Sequence, residues 1–202
     1  MTLPILPVTK PSDLRSTSNG RLTVCQLTPV VFPGVGHLSL HPTAARAWSA
    51  MAVACYATTR SSLSGTGCYR SYEAQLAVFN ARYTATYNPL VNTTSSKRTW
   101  LGKTWYLRRG MAPVAVPGTS NHGWGLAVDA GWWTGTNLPG MSDIAGVTSK
   151  AVGWGWLQNE AVKYGWSWEL QSEPWHLRYV AGDHIPQAVL DVEAYLAAQA
   201  AA

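Results

Sequence analysis

The spacing of apolar residues changes several times along this chain, and each change predicts an element. Residues 1–40 are punctuated by Pro and Gly and hold only short apolar runs such as Leu22-Thr-Val-Cys-Gln-Leu27. That pattern predicts an extended N-terminal arm with one or two short strands. From Pro42 onward, Ala45, Trp48, Met51, Ala52 and Cys55 recur at helical spacing, which predicts a helix over about 42–58 with Pro42 at its first position. Gly65-Thr-Gly-Cys-Tyr-Arg70 reads as a strand, and Ser71 is a suitable N-cap for a second helix running to about residue 82. Residues 84–117 lose the apolar period and become rich in Thr, Ser, Asn and Tyr, predicting a long insertion with a hairpin around Trp100 to Leu107. Leu126-Ala-Val-Asp-Ala-Gly-Trp132 is a short buried strand, followed by a Gly-rich loop over 134–148. A third helix is expected from Ser149 to Tyr164 with Gly165 as its stop. Trp166-Ser-Trp-Glu169 and His176-Leu-Arg-Tyr-Val180 read as strands. Pro186 opens a final helix to about Ala198, within a C-terminal segment at 185–200.

At 202 residues, with no internal repeat, the chain fits a single domain spanning 1–202. The order of elements predicts an α+β fold: a small, mostly antiparallel sheet with helices against one face.

Composition narrows the class. Apolar residues make up 47% and charged residues 12%, as in a globular chain with a lightly charged surface. No apolar run is long enough to span a bilayer, so membrane insertion is not expected. The start, Met1 to Lys10, lacks a basic segment followed by a long apolar core, so the expected routes are a signal already removed or delivery by another means, such as a phage. A net charge of +5 favours anionic surroundings such as the acidic polymers of a bacterial wall. Nucleic acid is not expected as a partner, because no basic helix or nucleic-acid motif is present. Cys25, Cys55 and Cys68 lack metal-ligand spacing, leaving one disulfide plus a free thiol, or three buried thiols.

Chemistry concentrates in two segments. Ser120-Asn-His122-Gly-Trp-Gly125-Leu-Ala127-Val-Asp129 sets an imidazole and a carboxylate seven residues apart, and Glu173-Pro-Trp-His176 adds one of each. Two His and one Asp form a three-ligand set suited to zinc, and the remaining Glu is free to act as a base. His122 is expected in the loop entering its strand and Asp129 within that strand. The second segment is not helical, because Pro174 lacks an N–H and biases Glu173 toward an extended conformation. Residues 173 and 176 would face opposite sides of a regular strand, so Glu173 is expected in a bend just before the strand that holds His176. His37, His41 and His184 have no such partners and read as structural or surface residues.

Together the two segments match S-x-H-x-x-G-x-A-x-D followed by E-x-W-H at every fixed position: Ser120, His122, Gly125, Ala127, Asp129, Glu173, Trp175 and His176. From average composition the first motif alone arises by chance on the order of once per million starts. The chain therefore resembles the D-alanyl-D-alanine carboxypeptidases of the vancomycin-resistance type, zinc peptidases that share a core with lysostaphin-type enzymes and the hedgehog signalling domain. The resemblance spans roughly Cys68 to Val180. It implies zinc held by His122, Asp129 and His176, with Glu173 as the base that activates water and returns the proton to the leaving amine. Tyr69-Arg70-Ser71 resembles the family's Tyr-Arg-Ser segment, whose Arg meets the substrate's oxyanion or carboxylate, a task suited to a fixed guanidinium. Gln75 and Ser120 are further candidates for substrate contact, although Ser120 could instead only order its loop. Ten of the eleven tryptophans lie from Trp100 onward, where core packing competes with stacking on substrate.

These expectations converge on a zinc metallopeptidase, favoured as a monomer, acting on peptidoglycan stem peptides at the bacterial cell wall. The leading bond is D-Ala–D-Ala or a D,D-cross-link. The alternatives are a phage endolysin or virion wall hydrolase cutting L-Ala–D-Glu, and a non-catalytic zinc-bearing wall-binding module.

Overall fold

The computed structural model describes residues 2–133, 135 and 152–202 of the chain. Its architecture is α+β, with the elements in the order β1 (Thr28–Phe32), β2 (Gly36–Leu40), α1 (Pro42–Thr59), β3 (Ser62–Gly67), α2 (Tyr72–Arg82), β4 (Tyr83–Thr84), β5 (Asn92–Trp100), β6 (Lys103–Arg108), β7 (Ala127–Trp133), α3 (Val152–Glu160), β8 (Trp166–Trp168), β9 (His176–Tyr179) and α4 (Gln187–Ala200). The Gly-rich loop expected at 134–148 lies outside the described residues apart from Gly135, as do the first residues of the expected third helix, 149–151.

The central sheet has the order β3-β7-β9-β8, and every pairing in it is antiparallel. Helix α1 covers it. Trp48, Met51 and Cys55, one turn apart along α1, are buried with Phe32, Leu63, Val128, Trp166 and Tyr179 in one apolar core. Pro42 stands at the start of α1, where its missing N–H costs nothing. Arg60 ends the helix in a left-handed conformation, its N–H closing on the Tyr56 carbonyl. Helix α3 passes into a 3₁₀ turn, Ala161–Tyr164, which Gly165 stops at φ 80°. Pro186 precedes α4, and the Arg46 guanidinium of α1 grips Glu193 of α4 with two hydrogen bonds of 2.8 and 2.7 Å.

The N-terminal arm lies along the exposed edge of β8. Pro4 accepts from the Trp168 N–H, Leu6 donates to Ser167 Oγ, and Thr9 donates to the Val180 carbonyl. Pairing the free edge in this way removes a template for aggregation. Further along, the arm forms the β1–β2 hairpin.

The insertion is a separate three-stranded sheet of order β4-β6-β5, tightened by a two-residue turn at Leu101 (φ 50°) and Gly102 (φ 69°). Positive φ at both central residues matches the right-handed twist of a hairpin. It packs a small aromatic core against α2, in which Phe79 stacks on Tyr83 and meets Trp100 and Trp105 edge-on.

Neither cysteine alternative holds in full. No disulfide forms: all three cysteines are free, with Cys55 and Cys68 buried and Cys25 exposed. Core packing takes Trp48, Trp132, Trp166 and Trp168, and none of the eleven tryptophans is fully exposed. Among the described residues no helix is long and apolar enough to cross a membrane.

Candidate metal centre

The site is built as one row across the central sheet. Register pairs Gly67 of β3 with Asp129 of β7, and Asp129 with His176 of β9. The β8–β9 pairing, Trp168 with Leu177, then sets Glu169 beside His176. Directly paired residues share a face of the sheet, so these side chains gather on one side.

His122 reaches the row from a 3₁₀ turn, Asn121–Trp124, that leads into β7. Ser120 caps the turn by accepting the His122 N–H, and Gly125 ends it at φ 63°. Gly125 cannot be replaced cheaply, because a Cβ there would stand 2.8 Å from the His41 backbone nitrogen. The arm braces the same turn: Asn19 Nδ2 donates to the Ser120 carbonyl at 2.7 Å, and the Gly20 N–H donates to that of Gly123. His41 has a separate structural task, linking Asp13 and Thr43 at 3.0 Å each.

Space for Asp129 depends on a glycine. A Cβ on Gly67 would lie 2.5 Å from Asp129 Oδ2 and 3.3 Å from His122 Cε1. The strand is bulged between Gly65 and Gly67, at the point where it passes the carboxylate. Two glycines inside an apparent strand were the sequence signal for this close approach.

Donor atoms of His122, Asp129 and His176 all lie within 4.8 Å of one another, and all three residues are buried. His122 Nε2 is 3.5 Å from Asp129 Oδ2, and His176 Nδ1 is 3.1 Å from Asp129 Oδ1. Tetrahedral donors around zinc, each at roughly 2.0–2.1 Å from the ion, stand about 3.3 Å apart, so the set fits such an ion in chemistry and spacing. His122 Nδ1 lies 3.0 Å from the Cys68 carbonyl, an acceptor that fixes its proton there and leaves Nε2 free to ligate.

The charges support one another. Burial opposes ionisation of Asp129, but hydrogen bonds from His122 and His176 outweigh it and hold the carboxyl well below its usual range. Burial works against the His176 imidazolium too, yet hydrogen bonds to Asp129 and Glu169 raise its pKa to about 9. Glu169 falls to about 2, first through its bond with His176. Burial, reinforced by the Asp129 charge, pushes the Cys68 thiol far up, so it stays protonated and inert.

The other expected site residues fall around this row. Glu173 sits in the turn just before β9, with its carbonyl accepting the His176 N–H at 3.0 Å. Arg70 follows β3, its N–H donating to the His122 carbonyl and its guanidinium to Gln75 Oε1 at 3.0 Å. Burial lowers the Arg70 pKa, and the Asp129 charge partly restores it. Gln75, expected to touch substrate, is 2% exposed and spends its amide on Arg70 and on the Ala115 carbonyl, 2.6 Å away. It therefore stands behind Arg70 and ties it to the insertion. Ser120 is also buried and committed to its turn. Glu169 and Asn121, which donates to it at 3.0 Å, were not singled out from the sequence, because their roles depend on strand register.

The family model for VanY, D-alanyl-D-alanine carboxypeptidase, matches residues 37–182. The chain belongs to this family. VanY-type proteins of known structure share its fold. A structure of the LD-carboxypeptidase LdcB superposes with a TM-score of 0.54 at 25% identity, covering 87% of this chain and 76% of that one. VanYB in complex with D-alanine-D-alanine superposes at 0.50 and 18% identity, covering 96% and 97%. No curated protein sequence matches the chain. As a VanY-type protein the chain is a peptidase of peptidoglycan, with its matched region running from β2 to just past β9.

Proposed function

We propose that this VanY-type peptidase is zinc-dependent and hydrolyses D-Ala–D-Ala ends or D,D-cross-links of peptidoglycan stems. The observation that carries the reading is the buried His122–Asp129–His176 cluster, which has the spacing and donor chemistry of a three-ligand catalytic zinc site. Zinc, when bound there, supplies a Lewis acid that lowers the pKa of water and polarises a scissile carbonyl.

The chain's own residues supply the rest. Glu173 precedes His176 by one turn of chain and takes a proton from the attacking water, then delivers it to the leaving amine. Arg70 is held by Gln75 and feels the Asp129 charge, and its planar donors suit a developing oxyanion or a terminal carboxylate. Ser120 keeps His122 in place.

The insertion supports action on polymeric wall as well as on free stems. Residues 84–117 carry Lys97, Arg98, Lys103, Arg108 and Arg109 and no acidic residue, while the rest of the chain balances ten cations against ten acids. The whole net charge of +5 thus sits on the subdomain tied to Arg70 through Gln75 and Ala115. Such a surface suits an anionic polymer.

The D,D preference follows the family, whereas the 25%-identical LdcB is named an LD-carboxypeptidase, which makes an L,D bond the specific competitor. Incubating the protein with stem pentapeptide, stem tetrapeptide and whole sacculi, with products read by mass spectrometry, separates these. Free D-Ala from the pentapeptide, with loss of D,D-cross-links from sacculi, is expected. Release of D-Ala from the tetrapeptide alone makes the enzyme an L,D-carboxypeptidase. New N-terminal D-Glu with intact D-Ala ends makes it an L-Ala–D-Glu endopeptidase of the phage-lysin kind.

A further inference from the structure

We infer that Glu169 is a positioning residue for His176, fixing the tautomer and direction in which that imidazole meets the metal. The inference rests on the zinc reading above and adds to it a residue that lies outside both sequence motifs. Its basis is geometric. Glu169 Oε2 is 3.0 Å from His176 Nε2, while Nδ1 of the same ring faces Asp129 Oδ1 at 3.1 Å. The ring is thus spanned by two carboxylates, one on each nitrogen. Asp129 and His122 lie on the Nδ1 side, where a metal would take the Nδ1 lone pair, so the ring proton belongs on Nε2, donated to Glu169.

Glu169 is itself held. Asn121 Nδ2 donates to the same Oε2 at 3.0 Å, and Arg178 Nη1 stands 3.9 Å from Oε1. Arg178 is anchored in turn, donating through Nη2 to the carbonyls of Trp168 and Leu6. Asn121 lies in the turn that carries His122, so Glu169 connects the supports of both histidines. The two rings are treated alike: His122 is fixed on its far nitrogen by the Cys68 carbonyl, and His176 by Glu169. A carboxylate acceptor differs from a carbonyl in carrying charge, which makes the His176 ring the more basic donor. Glu169 does not replace Glu173 as the base, because it meets the ring on the nitrogen facing away from Asp129.

The test compares Glu169→Gln and Glu169→Ala with the parent, using zinc alone as the probe. Zinc affinity is measured by chelator competition, and the protonation of the His176 ring nitrogens by ¹⁵N NMR. Removing such a support typically weakens metal binding by about 10–100-fold. The expected result is a loss in that range for Glu169→Ala and a smaller one for Glu169→Gln, whose amide oxygen still accepts. The His176 Nε2–H of the zinc-loaded protein is further expected to exchange with water faster and to shift its ¹⁵N resonance in Glu169→Ala, because its acceptor is gone. Unchanged affinity and an unchanged ring spectrum in both variants would overturn the role. His122→Ala separates this failure from failure of the zinc site. If His122→Ala loses zinc while the Glu169 variants keep it, only the positioning role falls. If His122→Ala keeps full zinc, both fall.

Discussion

Gly67→Ala tests the packing argument at its tightest point. The new Cβ would stand 2.5 Å from Asp129 Oδ2, where ordinary contact begins at 3.4 Å. The carboxylate, or the strand, must therefore retreat by about 0.9 Å, whereas metal–ligand distances tolerate only about 0.2 Å. His122 Cε1, at 3.3 Å from the same point, closes the obvious direction of escape. Overpacking of this kind costs about 1–3 kcal/mol of stability. The larger effect falls on the metal: zinc affinity is expected to drop about 100-fold, or about 2.8 kcal/mol. Gly155→Ala is the control, because a Cβ there meets nothing within 4 Å among the described residues. In helix α3 that change is expected to stabilise by about 0.5–1 kcal/mol and leave zinc untouched. Calorimetric zinc titration and thermal melts of both variants give the answer. Gly67→Ala protein that melts lower yet binds zinc within threefold of the parent refutes the reasoning, since it would mean that β3 bows away and Asp129 stays put.

Glu173→Gln is expected to keep zinc and fold but to lose peptidase activity by at least about 100-fold, and near-parental turnover would move the base elsewhere. Metal-free protein is expected to be most stable between pH 4.5 and 6.5. The His176 pKa is raised from 6.5 to about 9, so its contribution is complete below pH 6.5 and fades as pH climbs to 9. Glu169 is lowered from 4.5 to about 2, so its contribution holds above pH 4.5 and fades as pH falls toward 2. Thermal midpoints in chelator that rise steadily from pH 6 to 9 would contradict this. Leu101→Asn, at an exposed left-handed turn position, is expected to stabilise by about 1 kcal/mol, and a lowered denaturant midpoint would count against the turn geometry.

Local features were legible in the sequence, and pairings were not. Ser71 caps α2 through the Ala74 N–H because a cap is decided within four residues. Glu173 falls in a bend because Pro174 follows it directly. His122, Asp129 and His176 were found through their motifs, and the sheet brings them together. Gly67 escaped notice because its meaning comes from Asp129, on a strand far along the chain, and Glu169 because its meaning comes from the register between β8 and β9. Nothing near Trp166 reveals that β8 lies beside β9 in a register that lands Glu169 on His176. The bonds that Gln75 makes to Arg70 and to the Ala115 carbonyl of the insertion were likewise invisible in the sequence.

The row from Gly67 through Asp129 and His176 crosses β3, β7 and β9 and ends at Glu169, just past β8. Gly67 and His176 lie more than a hundred residues apart in sequence, so no short fragment of the chain holds the whole of it. A partly zipped sheet would present one or two donors, and a strand slipped by one residue would turn His176 to the opposite face. Metal uptake is therefore a faithful reporter of complete folding. During refolding, zinc capture should lag the growth of helical signal and coincide with the last protection of β3 and β8 backbone amides against hydrogen exchange. A peptidase built this way cannot cut anything before it is whole.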